Sequence, residues 1–259
     1  MVSETQPAIS DGEDDRGMVK SLQKALAVLQ AVAKADVPPR TAEVALAVGI
    51  SRPTAYRIVQ TLVAEGHLMQ DSQSGRLAIG FSVLQLSARL LDSNRMRLEA
   101  LPHLQALSQL TGERTNLGIL HRNKVLYLAG IEKPSLPTIY SRFGKSAPAH
   151  CCSLGKAILA HLPSQELHQL LAAEPPRAHT PNSIVSIPHL LKELELTRQR
   201  GYALDREEHV LNSFCIAATI FNSQSRAVGA IGVSGRSLDP LLNHLPILKH
   251  TADMISHVL

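Results

Sequence analysis

Four side chains that can contact nucleic-acid bases lie close together near the start of the chain: Arg52, Thr54, Tyr56 and Arg57. An arginine can donate two hydrogen bonds to O6 and N7 of guanine, and a threonine methyl group can contact the methyl group of thymine. Recognition helices insert their N-terminal residues into the major groove of DNA. The residue types therefore predict a surface that reads base pairs, with Arg52, Thr54 and Arg57 on the base edges.

The segment 41–62 contains two helical patterns that would position these side chains. Gly49 would form the turn between them, Ser51 the N-cap of the second helix, and Pro53 its first turn. Apolar residues recur at the i, i+3, i+4, i+7 spacing of a buried stripe. They are Val44, Ala45 and Val48 in the first helix and Ala55, Ile58, Val59 and Leu62 in the second. The pattern predicts a helix-turn-helix, although an ordinary helical hairpin with solvated arginines has the same spacing.

Flanking elements extend this motif into a predicted winged helix-turn-helix over residues 18–80. A scaffold helix is expected from Met18 to Ala33, with Lys20 on its solvent side. Its apolar stripe would consist of Val19, Leu22, Leu26, Leu29 and Val32. A small hairpin, or wing, is expected near 67–79 with Arg76 at its tip. We expect Lys20 and Ser51 to contact phosphates, and Arg76 to contact phosphate or the minor groove. Phosphate contacts contribute affinity without reading sequence.

Composition limits the class of protein. The chain has 259 residues, enough for two domains, and a formal net charge of +4. Residues 1–17 are polar and acidic and are expected to be a disordered tail before a basic module. Three cysteines cannot build a disulfide framework, and no apolar run approaches the roughly 20 residues of a membrane helix. Because no signal peptide is recognisable either, we expect a cytoplasmic protein with no membrane partner and no cofactor.

The nucleic-acid partner is expected to be double-stranded. Aromatic residues make up only 3% of the chain and tryptophan is absent. Proteins that bind single strands use aromatic side chains as stacking platforms, so this composition argues against that class.

The remainder of the chain predicts a linker helix, residues 81–95, and a second domain, residues 96–259. Leucines from Leu98 to Leu110 form either core or a dimer seam, since their spacing alone does not decide. Apolar strand patterns occupy residues 115–120, 125–129, 138–142, 213–221 and 227–234. A final helix is expected from Pro240, which Pro246 can bend. Antiparallel strands with helices grouped outside them indicate an α+β domain.

Several side chains in the second domain are of types that can bind metal ions or act as nucleophiles. His150, Cys151, Cys152, His209 and Cys215 are possible zinc ligands, but C-x-x-C and H-x-x-x-H spacings are absent, so no metal site is expected. Asp205 and His209 with Cys215 or Ser234 would suggest a nucleophile. The G-V-S-G segment at 232–235 is predicted to be a strand, however, and not a nucleophile elbow, so no catalytic residues are expected. The alternatives of another class are an enzyme with an added DNA-binding domain and a redox sensor acting through Cys215.

Two longer motifs lie in this domain: SRFGKSAPAHCCSLGKAILA at 141–160 and GYALDREEHVLNSFCIAATIFNSQSRAVGAIGVSG at 201–235. Together with the winged helix-turn-helix and the linker, they resemble the IclR family of bacterial transcription regulators from Met18 onward. The resemblance implies a GAF-like effector-binding domain, dimers or dimers of dimers, and control of an adjacent operon. Carried onto this sequence, it places Ser153, Leu154, Asp205, Cys215 and Ser234 around a small-molecule effector.

One loop departs from the family pattern. Where the family usually has Glu-Pro-Gly, often followed by Arg, this chain has Val210-Leu211-Asn212-Ser213-Phe214. Asn212 tolerates left-handed backbone, so the turn can be kept. The apolar side chains favour an apolar or aromatic effector, with Phe143, His209 and Phe214 added to its lining. This looks most like the family's repressors of solvent and multidrug efflux pumps.

The expected function is therefore a repressor that a small molecule releases from its operator. A ligand-dependent activator of an aromatic- or organic-acid catabolic operon is the alternative. Lys156, in the first of the two motifs, is interpreted as a solvated helix charge, and Asp205 could equally cap a turn.

Overall fold

A computed structural model describes residues 17–133 and 144–259. They form two compact units that divide between Ser93 and Asn94. Within the described residues, no helix is long and apolar enough to cross a membrane. Most of the predicted acidic tail, the predicted strand at 138–142 and Phe143 lie outside these ranges.

The first unit is a helical bundle with a short hairpin, as the sequence predicts. Its elements are α1 (Lys20–Lys34), α2 (Thr41–Val48), α3 (Arg52–Ala64), β1 (Leu68–Gln70), β2 (Leu77–Ile79) and α4 (Phe81–Ser93). Valines of the three N-terminal helices pack against Leu68 and Leu77 of the hairpin. Gly49 ends α2 in the left-handed conformation, with φ of 73°, which is the backbone geometry that lets a chain turn out of one helix towards the next.

The buried face of α1 differs from the predicted one. Val28 and Val32 enter the core, whereas Val19, Leu22 and Leu26 are 61%, 57% and 50% exposed. A run of apolar residues in a helix of mixed composition is compatible with more than one stripe, and contact with α2 and α3 selects the one that includes Val28. An apolar face of α1 is therefore left on the surface of this chain.

The second unit is an α+β domain with an antiparallel sheet. Its helices are α5 (Arg95–Thr111), α6 (Ser153–Leu159), α7 (Ser164–Ala173), α8 (Ile187–Arg200), α9 (Leu238–Leu242) and α10 (Leu245–His257). Its strands are β3 (Arg114–His121), β4 (Lys124–Ile131), β5 (Ser146–Pro148), β6 (Ala203–Arg206), β7 (Phe214–Phe221) and β8 (Ala227–Gly235). In the described residues the strand order is β5-β4-β3-β8-β7-β6, and every neighbouring pair is antiparallel.

Helices cover both faces of this sheet. One layer contains α5 and α10, and the other contains α6, α7 and α8. Strand residues alternate between the layers, so Ile216 faces the first and Ala217 the second. Gly155 allows α6 to pack closely, because a Cβ atom there would lie 2.2 Å from the carbonyl oxygen of Ala149.

The structure divides the leucine row of α5 between core and surface, and it corrects the prediction of a single final helix. The leucine row of α5 is only partly core: Leu104 and Leu107 are buried, but Leu98 and Leu110 are exposed. Spacing of exactly three residues drifts around a helix of 3.6 residues per turn, so the row cannot stay on one face. The predicted final helix is two helices, since the chain leaves α9 at Asn243 and begins α10 at Leu245, next to Pro246.

Candidate functional site

The N-terminal end of α3 presents the predicted base-reading residues. Arg52, Tyr56 and Arg57 are exposed, while Ala55 and Val59 on the other face of the helix are buried. This is the two-sided arrangement that a helix needs to pack on its own domain and still enter a groove.

Ser51 holds the start of this helix. Its Oγ accepts a hydrogen bond from the amide of Thr54 at 3.3 Å and shares a second one with the Thr54 hydroxyl at 2.8 Å. The cap satisfies a helix N–H group that has no partner within the helix. The Thr54 methyl group takes no part in the cap and can contact a base.

Arg76 does not lie at the tip of the wing, which corrects the sequence prediction. The turn is formed by residues 71–75, and Arg76 closes its base through the hydrogen bond from the Asp71 amide to the Arg76 carbonyl, 2.9 Å. The Arg76 guanidinium donates to the Pro38 carbonyl at 2.5 Å. The Arg76 side chain therefore binds Pro38, a residue of its own domain that is distant in sequence. Lys20, the other predicted phosphate contact outside α3, is exposed at the first residue of α1.

The second unit contains a cavity on the α6 side of its sheet. Six of the eight predicted effector residues line it together, although they come from three distant parts of the chain: Ser153, Leu154, Asp205, His209, Cys215 and Ser234. The start of α6 forms one wall and the strands form the floor. Gly232 lets Leu154 pack closely on this floor, because a Cβ atom there would lie 3.2 Å from a methyl carbon of Leu154.

The other two predicted residues do not take part in the described lining. Phe214 packs with the apolar layer on the opposite face of the sheet. Consecutive strand residues face opposite sides, so Cys215 in the cavity requires Phe214 to point away from it. Phe143 lies outside the described residues. Of the apolar residues in the divergent loop, Val210 lines the cavity, whereas Leu211 is exposed.

The sequence analysis did not place several polar lining residues in the cavity. They are Asn116, Tyr127, Cys152 and Ser213. Strand alternation was the available signal for Asn116 and Tyr127, because each precedes a leucine that faces the other layer. Alternation identifies lining residues only when the strand order of the folded sheet is known.

A short hydrogen-bond chain crosses the cavity floor. The Asn116 amide nitrogen donates to Ser234 Oγ at 3.3 Å, and the Cys215 thiol donates to the same oxygen at 3.1 Å. The Asn116 side-chain oxygen is buried and has no hydrogen-bond partner. An unsatisfied buried acceptor is unfavourable by about 1–3 kcal/mol, so this oxygen favours a ligand that brings a donor.

Asp205 provides an unusual carboxyl group beside this floor. Burial raises its pKa to about 7, and the Glu208 carboxylate acts in the same direction. The Glu208 amide donates to Asp205 Oδ1 at 2.8 Å and opposes the rise. The group therefore changes its charge near neutral pH, inside the cavity wall.

Lys156 and Glu208 form a buried ion pair that connects the two motifs. Lys156 is fully buried, and its Nζ donates to both carboxylate oxygens of Glu208, at 2.5 and 2.7 Å. The interpretation of Lys156 as a solvated charge was therefore wrong. Helical spacing could not reveal this, because the partner lies 52 residues away and α6 is covered on all sides.

The loop that carries Glu208 is held by its own backbone hydrogen bonds. The Glu207 amide donates to the Ser213 carbonyl at 3.2 Å, and the Asn212 amide donates to the Glu207 carboxylate at 2.7 Å. Asn212 has φ of 58°, which confirms the expected left-handed turn. Glu207 also adopts positive φ, 60°, a conformation that non-glycine residues rarely take.

The predicted nucleophile and zinc-ligand candidates lie in the second unit. Ser234 lies within β8, paired with Cys215 of β7, and not at a strand-to-helix turn. Burial raises the pKa of Cys151 to about 12 and that of Cys152 well above its usual value, so both are thiols at neutral pH. Two of the five possible zinc ligands, His150 and Cys151, do approach each other, together with His179 from a separate loop.

Two family models match this chain. A family model described as the IclR helix-turn-helix domain matches residues 21–72, and one for the C-terminal part of the bacterial transcriptional regulator IclR matches residues 88–257. The HTH-type transcriptional repressor AllR of Escherichia coli K12 is 30% identical over 244 residues, which cover 93% of this chain and 90% of AllR.

Solved structures share the fold. An IclR transcriptional regulator from Alicyclobacillus acidocaldarius superposes with a TM-score of 0.81 at 25% identity, covering 93% of this chain and 98% of that one. An IclR homologue from Microbacterium hydrocarbonoxydans, complexed with 4-hydroxybenzoate, has a TM-score of 0.79 at 22% identity, covering 92% and 98%. With its helix-turn-helix and its covered antiparallel sheet, the chain belongs to the IclR family of bacterial transcriptional regulators.

Proposed function

We propose that the protein is a repressor that a small molecule releases from operator DNA. The observation that carries this proposal is the cavity, which is lined by side chains from both motifs and by Asn116, whose side-chain oxygen is buried without a hydrogen-bond partner. The similarity to AllR, which is named a repressor, supports the sign of the response. Effector binding would favour a conformation with lower affinity for DNA, as a population shift requires.

The proposed division of labour follows the predicted domains. Residues 18–80 bind DNA, residues 81–95 form the linker, and residues 96–259 bind the effector. Exposed apolar side chains on α1 and on α4, among them Leu22, Leu26, Phe81 and Leu84, support association into a homodimer or a dimer of dimers. A two-fold symmetric dimer would match a palindromic operator.

We expect Arg57→Ala to weaken specific DNA binding by about 1–3 kcal/mol, because a bidentate contact to a guanine would be lost. Base preference at the contacted position should relax at the same time. The measurement is a titration of the purified protein against its operator and against single-base variants, at one fixed salt concentration. Arg236→Ala, which removes an exposed arginine from the other unit, is the charge-matched control and should bind as the native protein does.

Random DNA distinguishes the two kinds of contact. If Arg57→Ala loses the same affinity on random DNA as on the operator, Arg57 contacts a phosphate and does not read a base.

The effector we propose is a small uncharged molecule with an aromatic or short apolar body and a hydrogen-bond donor such as a hydroxyl. Leu154, Val210 and Tyr127 provide apolar surface, and the Asn116 side-chain oxygen needs a donor. This narrows the predicted apolar class, because the floor of the cavity is polar. The efflux-pump subgroup stays a prediction.

Entry of such a molecule requires the cavity to widen. Its free volume is about 10 Å³, roughly the space of one water molecule. The loop 207–213 is the element we propose to move, since two of its residues, Glu207 and Asn212, are in rarely populated backbone conformations.

A thermal-shift series tests this effector class with three compounds of similar size: benzyl alcohol, toluene and benzoate. Benzyl alcohol should raise the melting temperature most, by about 2–4 °C for each kcal/mol that the bound compound adds to the free energy of unfolding. Benzoate should give the smallest shift above pH 7, where ionised Asp205 repels it.

Asn116→Leu is the matched variant for the same series. It removes the unpartnered oxygen, so the difference between benzyl alcohol and toluene should disappear. A shift with benzoate alone in the native protein would refute the proposed uncharged class.

A further inference from the structure

The fold brings three potential metal ligands together beside the cavity. One ring nitrogen of His150, the thiol sulfur of Cys151 and one ring nitrogen of His179 all lie within 4.8 Å of one another. Their backbone positions come from the 3-10 turn Ala149–Cys151 and from the loop between α7 and α8. We propose that these three side chains bind a transition-metal ion of the Zn²⁺ class.

The donor set selects the kind of ion. Imidazole nitrogen and thiolate sulfur suit zinc, cobalt and copper, whereas magnesium and calcium require oxygen ligands. Cys151 is a thiol in the metal-free protein and donates to the carbonyl oxygen of Pro148 at 3.7 Å, so binding the ion would break this hydrogen bond and release the thiol proton to solvent. Zinc takes nitrogen at about 2.0–2.1 Å and sulfur at about 2.3 Å, so ligands within 4.8 Å of one another need only small side-chain movements to surround it. Three protein ligands leave the fourth tetrahedral position to water or to another molecule.

One ring nitrogen of His150 is held by a hydrogen bond to the backbone. Its Nε2 donates to the carbonyl oxygen of Arg177 at 2.9 Å, which leaves the lone pair on Nδ1. Histidine ligands in metal sites commonly donate their other ring N–H to a backbone carbonyl in this way, which fixes both the tautomer and the ring.

Burial gives the site a closed side and an open side. His150 and Cys151 are buried, and His179 is exposed, so an ion could enter from solvent past the His179 ring. His179 also contacts His209 edge-to-face, with ring centroids 5.7 Å apart. Since His209 lines the effector cavity, a bound ion would order a loop next to that cavity.

Cobalt(II) reports on this site directly, because a thiolate ligand gives it a charge-transfer absorption in the near ultraviolet. Purified full-length protein, freed of metal by a chelator, should take up one Co²⁺ per chain with this absorption and release it to Zn²⁺. His179→Ala should lower the affinity by about 10-fold or more and should fold normally, because the side chain is exposed. Cys151→Ser should abolish the absorption.

Matched variants exclude other sources of the signal. Cys152→Ser removes the neighbouring thiol and should keep the absorption, and His168→Ala removes an exposed histidine of α7 and should keep the affinity. The proposal is overturned if the native chain shows no thiolate absorption with Co²⁺, or if His179→Ala and Cys151→Ser bind Co²⁺ as the native chain does. Effector binding measured on metal-free protein tests the cavity independently, so either proposal can fail alone.

Discussion

Replacing Lys156 by methionine is expected to lower the free energy of unfolding by about 3–5 kcal/mol. Methionine fills a similar volume, so little packing is lost, but the Glu208 carboxylate stays buried without its partner. Removing one member of a buried pair leaves an uncompensated charge in a region of low polarity, which is far more destabilising than losing an exposed pair.

Denaturant titration at pH 7 measures this loss. Lys133→Met is the control, because Lys133 pairs with Glu113 at 3.1 Å on the surface, with 37% of its side chain exposed. That change should alter stability by less than about 1 kcal/mol. The double variant Lys156→Met/Glu208→Gln should recover part of the lost stability, since the stranded charge is gone. A loss no larger than that of the control would contradict the structural role of the pair.

Asp205→Asn is expected to stabilise the protein in a pH-dependent manner. The folded state raises the pKa of Asp205 from 3.8 to about 7, so it favours the protonated carboxyl. Well below pH 3.8 Asp205 is protonated in both the folded and the unfolded chain, so its ionisation does not change the free energy of unfolding. Between the two pKa values the unfolded chain ionises first, so the native protein loses stability as pH rises, by about 4 kcal/mol in total. Because asparagine cannot ionise, the variant keeps this stability as pH rises.

Denaturant titrations at about pH 4 and about pH 8 measure the free energy of unfolding where folded Asp205 is protonated and where it is ionised. The variant should exceed the native protein by several kcal/mol at the higher pH and by little at the lower one. Asp253→Asn, a change at an exposed position of α10, should have a small effect of equal size at both. An equal gain at both pH values for Asp205→Asn would show that the change acts through packing and not through ionisation.

Local spacing was sufficient for the elements of the DNA-binding unit. Gly49, Ser51 and Pro53 act within a few residues of themselves, so the turn, the cap and the start of α3 could be predicted from neighbouring positions. The same holds for Asn212, whose side chain and backbone tolerate the left-handed turn that the family forms with glycine. Arg76 was misplaced because its position depends on Pro38, which is distant in sequence.

The cavity was predicted in part, for a different reason. Motif resemblance placed Ser153, Asp205 and Ser234 together without any knowledge of their geometry, and the fold brings them to one cavity. Asn116 escaped notice because nothing in its own segment distinguishes it from an ordinary strand residue. Phe214 was wrongly included because it directly precedes Cys215 in β7, and consecutive strand residues face opposite sides of the sheet.

The sequence by itself determined the family, the helix-turn-helix and the α+β class, since these follow from periodicity, caps and motif order along the chain. Tertiary structure alone decided which polar side chains distant in sequence become partners. Lys156 has the spacing of a surface charge until β6 and its loop bring Glu208 to it, and His150 and Cys151 are close to His179 only because the fold places the loop between α7 and α8 beside them. Contacts between side chains 28 to 52 residues apart depend on how the elements pack, and this cannot be predicted from the spacing of residues within one helix or strand.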